Sequence, residues 1–104
     1  MRSTPQYLRE LAAPDTLGLE TRVAFRRAAI ELLESIPEGD GRLVVDLAGT
    51  RHIDSAGLGA LMLIQRRAAE RRQTVVLENP SDELRFLLNI TKLSPLFEFE
   101  PAGV

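Results

Sequence analysis

The stretch "RLVVDLAGTRHIDSAGLGALMLIQRRAAERRQTVVLE", residues 42–78, holds two short apolar runs separated by a segment long enough for a helix. The runs Arg42–Leu47 and Gln73–Glu78 are rich in valine and leucine, which is typical of strands buried on both faces of a parallel sheet. The segment Ser55–Arg72 predicts a helix between them. Because a strand, a helix and a second strand follow one another, we expect a right-handed parallel crossover.

The flanking segments extend this pattern. Upstream, Leu17–Ile36 predicts a helix that ends at the loop-forming Pro37–Gly41. Its buried face would hold six apolar residues with helical spacing: Phe25, Ala28, Ala29, Leu32, Leu33 and Ile36. Downstream, Ser81 can cap a further helix, with Asp82 and Glu83 at the positive end of its dipole. That helix should end near Thr91 and bury Leu84, Leu87 and Leu88.

Two weaker strand patterns lie near the ends of the chain. Alternation in Leu96–Glu100 predicts a short final edge strand after Pro95, and Gln6–Leu11 is a candidate first strand. The chain of 104 residues is of ordinary size for one domain, so we expect a single α/β domain over residues 1–104. Its sheet should be mostly parallel, have about four strands and pack against helices.

Composition excludes several kinds of function. The net charge of -2 supplies no overall attraction for nucleic acid. With no cysteine and one histidine, the chain offers no disulfide framework, thiol catalyst or Cys/His metal site, and we expect no cofactor. The N-terminus lacks a signal-peptide pattern, and no apolar stretch approaches the roughly 20 residues that cross a bilayer. We therefore expect a soluble cytoplasmic protein without membrane insertion.

The motif Asp54-Ser55-Ala56-Gly57 lies where a loop becomes a helix. Amides at a helix N-terminus favour negative charge, so a phosphate on Ser55 would be tolerated there and would add about 1.5 to 2 negative charges beside Asp54. The alternative is purely structural, because Asp and Ser are common N-caps and Gly57 can relieve crowding in a tight turn.

The helix after Ser55 is apolar around its whole first part, from Leu58 to Ile64. One side must face the sheet. The other side is either covered by a neighbouring helix or forms an apolar patch beside Ser55, and such patches usually mark binding surfaces. If the patch is a partner surface, Leu58 or Met62 should be substantially exposed.

These features together resemble the STAS domain family, of the anti-sigma factor antagonist type. The resemblance rests on the apolar strand that ends in Asp46, the run "DSAGLG" at Asp54–Gly59, the strand Val75–Leu77 and the helix exit "LLNITKL" that ends at Leu93. It covers Leu43–Leu93 in detail and the remaining chain in element order. Family members usually open with a longer strand or hairpin, so the N-terminal strand here is expected to be shortened.

The resemblance implies a partner switch. The matching serine, Ser55, would be phosphorylated by a cognate anti-sigma factor, a serine kinase of the GHKL type, which binds the unphosphorylated protein and is released afterwards. The docking surface would comprise Asp54, Ser55, Ala56, Gly57, Leu58, Gly59, Leu61 and Met62. The protein would be a monomer or weak dimer of a bacterial transcription-control pathway. A second branch of the fold serves as the cytoplasmic subunit of lipid-trafficking ABC transporters, and it is the alternative.

Enzymatic readings fit the residues less well. Asp46 and Asp54 follow predicted elements as in a magnesium-dependent phosphoacceptor, but the single lysine, Lys92, lies at a helix exit. Asp46 is more simply a strand-end residue that bonds to loop amides. A hydrolytic Ser55 would need a base, and His52 on the same loop shows no pattern that links the two. The prediction is a binding protein and not an enzyme.

A basic run, Arg66, Arg67, Arg71 and Arg72, raises the question of nucleic acid or acidic lipid. The simpler interpretation is a solvated helix end, where cations complement the negative end of the dipole and Glu70 is close enough to pair. No nucleic-acid partner is expected.

Overall fold

The computed structural model describes residues 7–100, which form three α-helices and two parallel sheets. The strands are β1 (Leu8–Ala12), β2 (Thr16–Leu17), β3 (Arg42–Asp46), β4 (His52–Ile53), β5 (Thr74–Glu78) and β6 (Glu98–Glu100). The helices are α1 (Arg22–Glu34), α2 (Ser55–Glu70) and α3 (Asp82–Ile90), and a 3-10 helix covers Ser94–Leu96.

The main sheet has the order β1-β3-β5-β6, and each described pair of neighbours is parallel. Its register places Ala12, Asp46, Glu78 and Glu100 side by side, so all four strands end at the same edge. Side chains of β3 and β5 meet the helices in one apolar cluster, which includes Val45, Leu77, Leu33, Leu61, Ile64 and Leu88. The predicted α/β fold with a mostly parallel sheet of four strands is confirmed.

The first helix begins later than predicted. Thr16 and Leu17 belong to β2, which pairs in parallel with His52 and Ile53 of β4. A turn follows, in which the Gly18 amide donates to Thr21 Oγ1 at 3.0 Å and the Thr21 hydroxyl donates to the Thr16 carbonyl at 2.7 Å. Sequence periodicity did not reveal β2 or β4 because a strand of two residues is too short to show a period.

The other predicted elements agree with the structure to within two residues. Ser81 caps α3, since its Oγ accepts from the Leu84 amide at 3.1 Å, and Thr91 is the residue that ends that helix. The final strand is an edge strand, as predicted, but begins at Glu98 because Leu96 lies in the 3-10 helix. The first strand runs over Leu8–Ala12, and Gln6 of the predicted strand lies outside the described residues.

Polar contacts fix α1 against the end of α2. Arg67 pairs with Glu34 at 2.7 Å and with Glu70 at 3.1 Å. Arg71 donates to the Ile36 carbonyl at 2.7 Å, and the buried amide of Gln73 donates to the Leu33 carbonyl at 3.0 Å. The basic run is therefore divided between these contacts and solvent. The predicted pairing with Glu70 is confirmed, while the contacts to α1 depend on tertiary packing.

None of the helices within residues 7–100 combines the length and the apolar character that a bilayer span needs.

Candidate functional site

The candidate site lies where β4 leads into α2. Asp54 has an extended backbone, with φ -118° and ψ -175°, and is the N-cap of α2. Its Oδ1 accepts from the Gly57 amide at 2.9 Å, and its Oδ2 accepts from the Leu19 amide at 3.4 Å. The Gly57 amide is the main cause that holds the pKa of Asp54 below its ordinary value, and the Leu19 amide acts in the same direction. Asp54 therefore joins the loop before α1 to the start of α2 while it stays exposed.

Ser55 is the first residue of α2 and does not serve as its cap. Its side chain is exposed, and within residues 7–100 its hydroxyl has no hydrogen-bond partner. The capping role that the sequence left open between Asp and Ser belongs to Asp54. The Ser55 hydroxyl is thus available to solvent.

The two glycines of the motif differ in their surroundings. Gly57 is buried, and a Cβ at this position would overlap the carbonyl oxygen of Leu17. Gly59 has open space where its Cβ would lie. Gly57 therefore permits β2 to pass close to the start of α2, and its contribution is structural. Its expected place in the docking surface stays a prediction.

The apolar residues after the motif are divided between core and surface. Leu61 is fully buried in the core, with 0% exposure, and its expected role as a contact residue stays a prediction. Leu58 is half-buried and packs against the core. Met62 is also half-buried, so neither residue shows the substantial exposure that we expected. The exposed apolar side chain on this part of α2 is Leu63, at 41%.

A groove of about 300 Å³ runs between α1 and α2 beside Ser55. From α2 it is lined by Ser55, Ala56, Gly59, Ala60, Met62, Leu63 and Arg66. From α1 it is lined by Arg22 and Arg26. The α2 members could have been recognised in the sequence, because Ser55, Gly59, Leu63 and Arg66 recur at helical spacing. The contribution of α1 depends on how the two helices pack, which no local pattern contains.

The three arginines of the groove share one feature. None of Arg22, Arg26 and Arg66 forms an ion pair with a carboxylate in the described part of the chain. The charge of Arg22 is close enough to help lower the pKa of Asp54. The groove therefore combines a free hydroxyl, a partly apolar surface and three arginines without an ion-pair contact in that part of the chain, one of which, Arg22, interacts with the Asp54 carboxylate at longer range.

Asp46 and His52, which were considered for enzymatic roles, do not line this groove. Asp46 Oδ1 accepts from the Ala48 amide at 2.9 Å, a loop contact at the end of β3. His52 is exposed on β4, and no hydrogen bond links it to Ser55 within residues 7–100. The same residues hold no group of three or more His, Cys, Asp or Glu side chains arranged to bind a metal ion.

Comparisons with known proteins agree with the fold. The solved structures that share it include the following three. One is a proposed anti-sigma factor antagonist from Thermotoga maritima, with 19% identity and a TM-score of 0.72, covering 88% of this chain and 78% of the other. Another is a sulfate transporter family protein from Wolinella succinogenes, with 17% identity and a TM-score of 0.76, covering 95% and 80%. The third is the anti-sigma factor antagonist SpoIIAA in its unphosphorylated form, with 12% identity and a TM-score of 0.65, covering 99% and 86%.

Sequence comparisons carry the family assignment. A STAS-domain containing protein of Pseudomonas aeruginosa strain UCBPP-PA14 is 37% identical over 57 residues, which are 55% of this chain. The aligned part spans 56% of that relative, little more than half its length. The family model described as "Mlab, STAS domain" matches residues 10–98, nearly all of the described chain. This chain belongs to the STAS domain family.

Proposed function

We propose that this STAS domain is an anti-sigma factor antagonist whose binding is switched by phosphorylation of Ser55. In the unphosphorylated state it binds a cognate anti-sigma factor, a serine kinase of the GHKL type, in the bacterial cytoplasm. In the phosphorylated state it releases that kinase, which can then hold its sigma factor. The observation that carries the proposal is the exposed Ser55 hydroxyl, free of hydrogen bonds to residues 7–100 and placed at the groove between α1 and α2.

The local chemistry suits such a switch. During transfer the Ser55 Oγ forms a bond to the γ-phosphorus of ATP, the bond from that phosphorus to the ADP oxygen breaks, and the hydroxyl proton passes to a base of the kinase. The product places about two negative charges on the first residue of α2, where the helix dipole tolerates them. Within a docked interface the same charges cost desolvation and repel nearby carboxylates, so the complex is weakened without unfolding of the domain.

In this proposal the protein is a binding module, and the kinase supplies all of the chemistry. The contact surface comprises Asp54, Ser55, Ala56, Gly59 and Met62, to which the structure adds Leu63 as an exposed apolar neighbour. Leu58 borders this surface from its half-buried position.

The test compares two substitutions at Ser55. Ser55→Ala should keep the affinity for a GHKL-type kinase of the same organism and be permanently active, because it cannot accept phosphate. Ser55→Asp should bind much more weakly with little change in fold. Its penalty should shrink as salt rises, since an exposed charge is screened. Calorimetric titration measures the affinities, and mass spectrometry after incubation with kinase and ATP should place phosphate on Ser55. Equal binding by both variants contradicts the proposal.

The second candidate function is the cytoplasmic STAS subunit of a lipid-trafficking ABC transporter. Two observations support it. The description of the matched family model names Mlab and does not name an antagonist, and one structural neighbour is a sulfate transporter family protein. Affinity purification of the full chain separates the two candidates. Co-purification of a permease and its ATPase, with no effect of Ser55→Asp, would favour the transporter subunit.

A further inference from the structure

We propose that the groove between α1 and α2 receives an acidic amphipathic helix of the partner protein. This inference rests on the proposed function, because it assigns a partner chemistry to the same site. It goes further in predicting the charge and the secondary structure of the docking segment.

Charge is the first argument. The whole chain has a net charge of -2, yet three arginines converge on one groove without a carboxylate partner among the described residues. Some arginines elsewhere are paired, as Arg42 is with Glu98 at 2.9 Å and Arg67 with Glu34 at 2.7 Å, and others such as Arg27 are exposed without an ion pair within residues 7–100. The groove differs in that three guanidinium groups meet there and its lining residues include no carboxylate. A guanidinium presents a planar fork of donors that matches a carboxylate. Unpaired guanidinium groups around a concave surface therefore select an acidic partner.

The apolar part of the groove selects a peptide. Leu63 is 41% exposed, and Met62 and Ala56 lie half-buried in the same groove. The phosphate backbone of a nucleic acid would gain nothing from these apolar side chains. A helix with leucines on one face and acidic residues beside them matches both the apolar and the basic parts of the groove. A furrow between two helices also suits a third helix, which packs its side chains into it.

The same geometry explains how phosphate on Ser55 would act. The serine and the three arginines line one groove, so a phosphoserine would lie among the cations that the partner needs. Three positive charges and about two added negative charges leave a net of about one positive charge in the groove. The modification therefore weakens the attraction for the acidic helix, and the phosphate itself repels the carboxylates of that helix.

The experiment uses the full chain labelled with ¹⁵N and two designed helical peptides. Both peptides carry leucines on one face; one has glutamates beside them and the other has lysines at the same positions. The acidic peptide should shift the amide signals of Ser55, Gly59 and Leu63 in a saturable way, and the lysine peptide should not. Arg26→Glu and Arg66→Glu should each weaken the acidic peptide about tenfold or more, because like charges would face each other.

A matched control is Arg27→Glu, which reverses an exposed charge on α1 outside the groove and should leave the affinity unchanged. Circular dichroism confirms that each variant is folded. The inference is overturned if neither peptide binds, if the lysine peptide binds equally well, or if the shifts map elsewhere. It is also overturned if a single-stranded oligonucleotide or an anionic lipid vesicle shifts the same amides at lower concentration than the acidic peptide.

The outcome is separable from that of the proposed function, because no kinase is present. If the acidic peptide fails while Ser55→Ala and Ser55→Asp still differ in kinase binding, only this inference is wrong. If the peptide binds while both variants bind the kinase equally, only the Ser55 switch is wrong.

Discussion

Asp54 and Ser55 are adjacent residues with separate roles. Both carboxylate oxygens of Asp54 accept hydrogen bonds from backbone amides, so Asp54 fixes the start of α2 against the loop before α1. The Ser55 hydroxyl forms no hydrogen bond with any residue that the structure describes. The proposed phosphorylation of Ser55 would therefore leave the capping bonds of Asp54 in place, as a reversible switch requires.

This separation predicts that Ser55→Ala changes the free energy of unfolding by no more than about 0.5 kcal/mol, as is usual for an exposed side chain without partners. The matched control is Asp54→Ala, which removes the cap and should lower the urea midpoint clearly. Because the pKa of Asp54 is lowered in the folded state, its contribution is present at neutral pH and is lost as the pH falls through that pKa. Urea unfolding at pH 7 and under acidic conditions measures both effects. A large loss from Ser55→Ala would show that Ser55 is structural and would weaken its assignment as a switch.

At the scale of elements, long apolar patterns were predictable and short ones were not. The strands β3 and β5 and the helix α2 each have a composition that specifies their type, and the structure places them within two residues of the prediction. The two-residue strands β2 and β4 pair with each other. The Asp54 amide donates to the Leu17 carbonyl at 3.3 Å and so joins this pair to the start of α2. The sequence, through its resemblance to the STAS family, also points to Ser55 as the central residue of the site, and that role stays a prediction. It could not separate Leu61 from Leu63, because both are leucines and only packing decides which one is buried.

The contact between β2 and α2 predicts opposite effects for the two glycines of the motif. Gly57→Ala should destabilise the domain by about 1 to 3 kcal/mol, because its methyl group would overlap the Leu17 carbonyl and force the elements apart. Gly59→Ala should be neutral or stabilise by up to about 1 kcal/mol, since the site is open and alanine favours a helix. Thermal and urea unfolding of the two variants provide the comparison. Equal effects would mean that β2 does not lie against α2 as the structure shows.

At the scale of the whole molecule, the carboxyl edge of the main sheet collects negative charge. Asp46, Glu78 and Glu100 are neighbours in register on β3, β5 and β6, and Glu10 lies on β1. The pKa of Glu78 is raised above its ordinary value, first by desolvation and then by the charges of Asp46, Glu10 and Glu100. The groove beside Ser55 has unpaired positive charge instead, so the molecule presents surfaces of opposite sign.

The acidic edge predicts a stability that depends on pH with a definite sign. A folded-state pKa above the unfolded value means that the folded state binds the Glu78 proton more tightly, so stability falls as pH rises from about 4.3 through the folded pKa. Glu78→Gln removes this charge and should raise the urea midpoint at pH 7. The advantage should shrink as the pH falls and vanish by about pH 3, where Glu78 is protonated in both states. Glu31→Gln, at an exposed position of α1, is the control and should change little at either pH. If Glu78→Gln is less stable than the parent at pH 7, the prediction is wrong. The Glu78 carboxylate would then stabilise the edge, and its repulsion with the neighbouring carboxylates would not be the dominant effect.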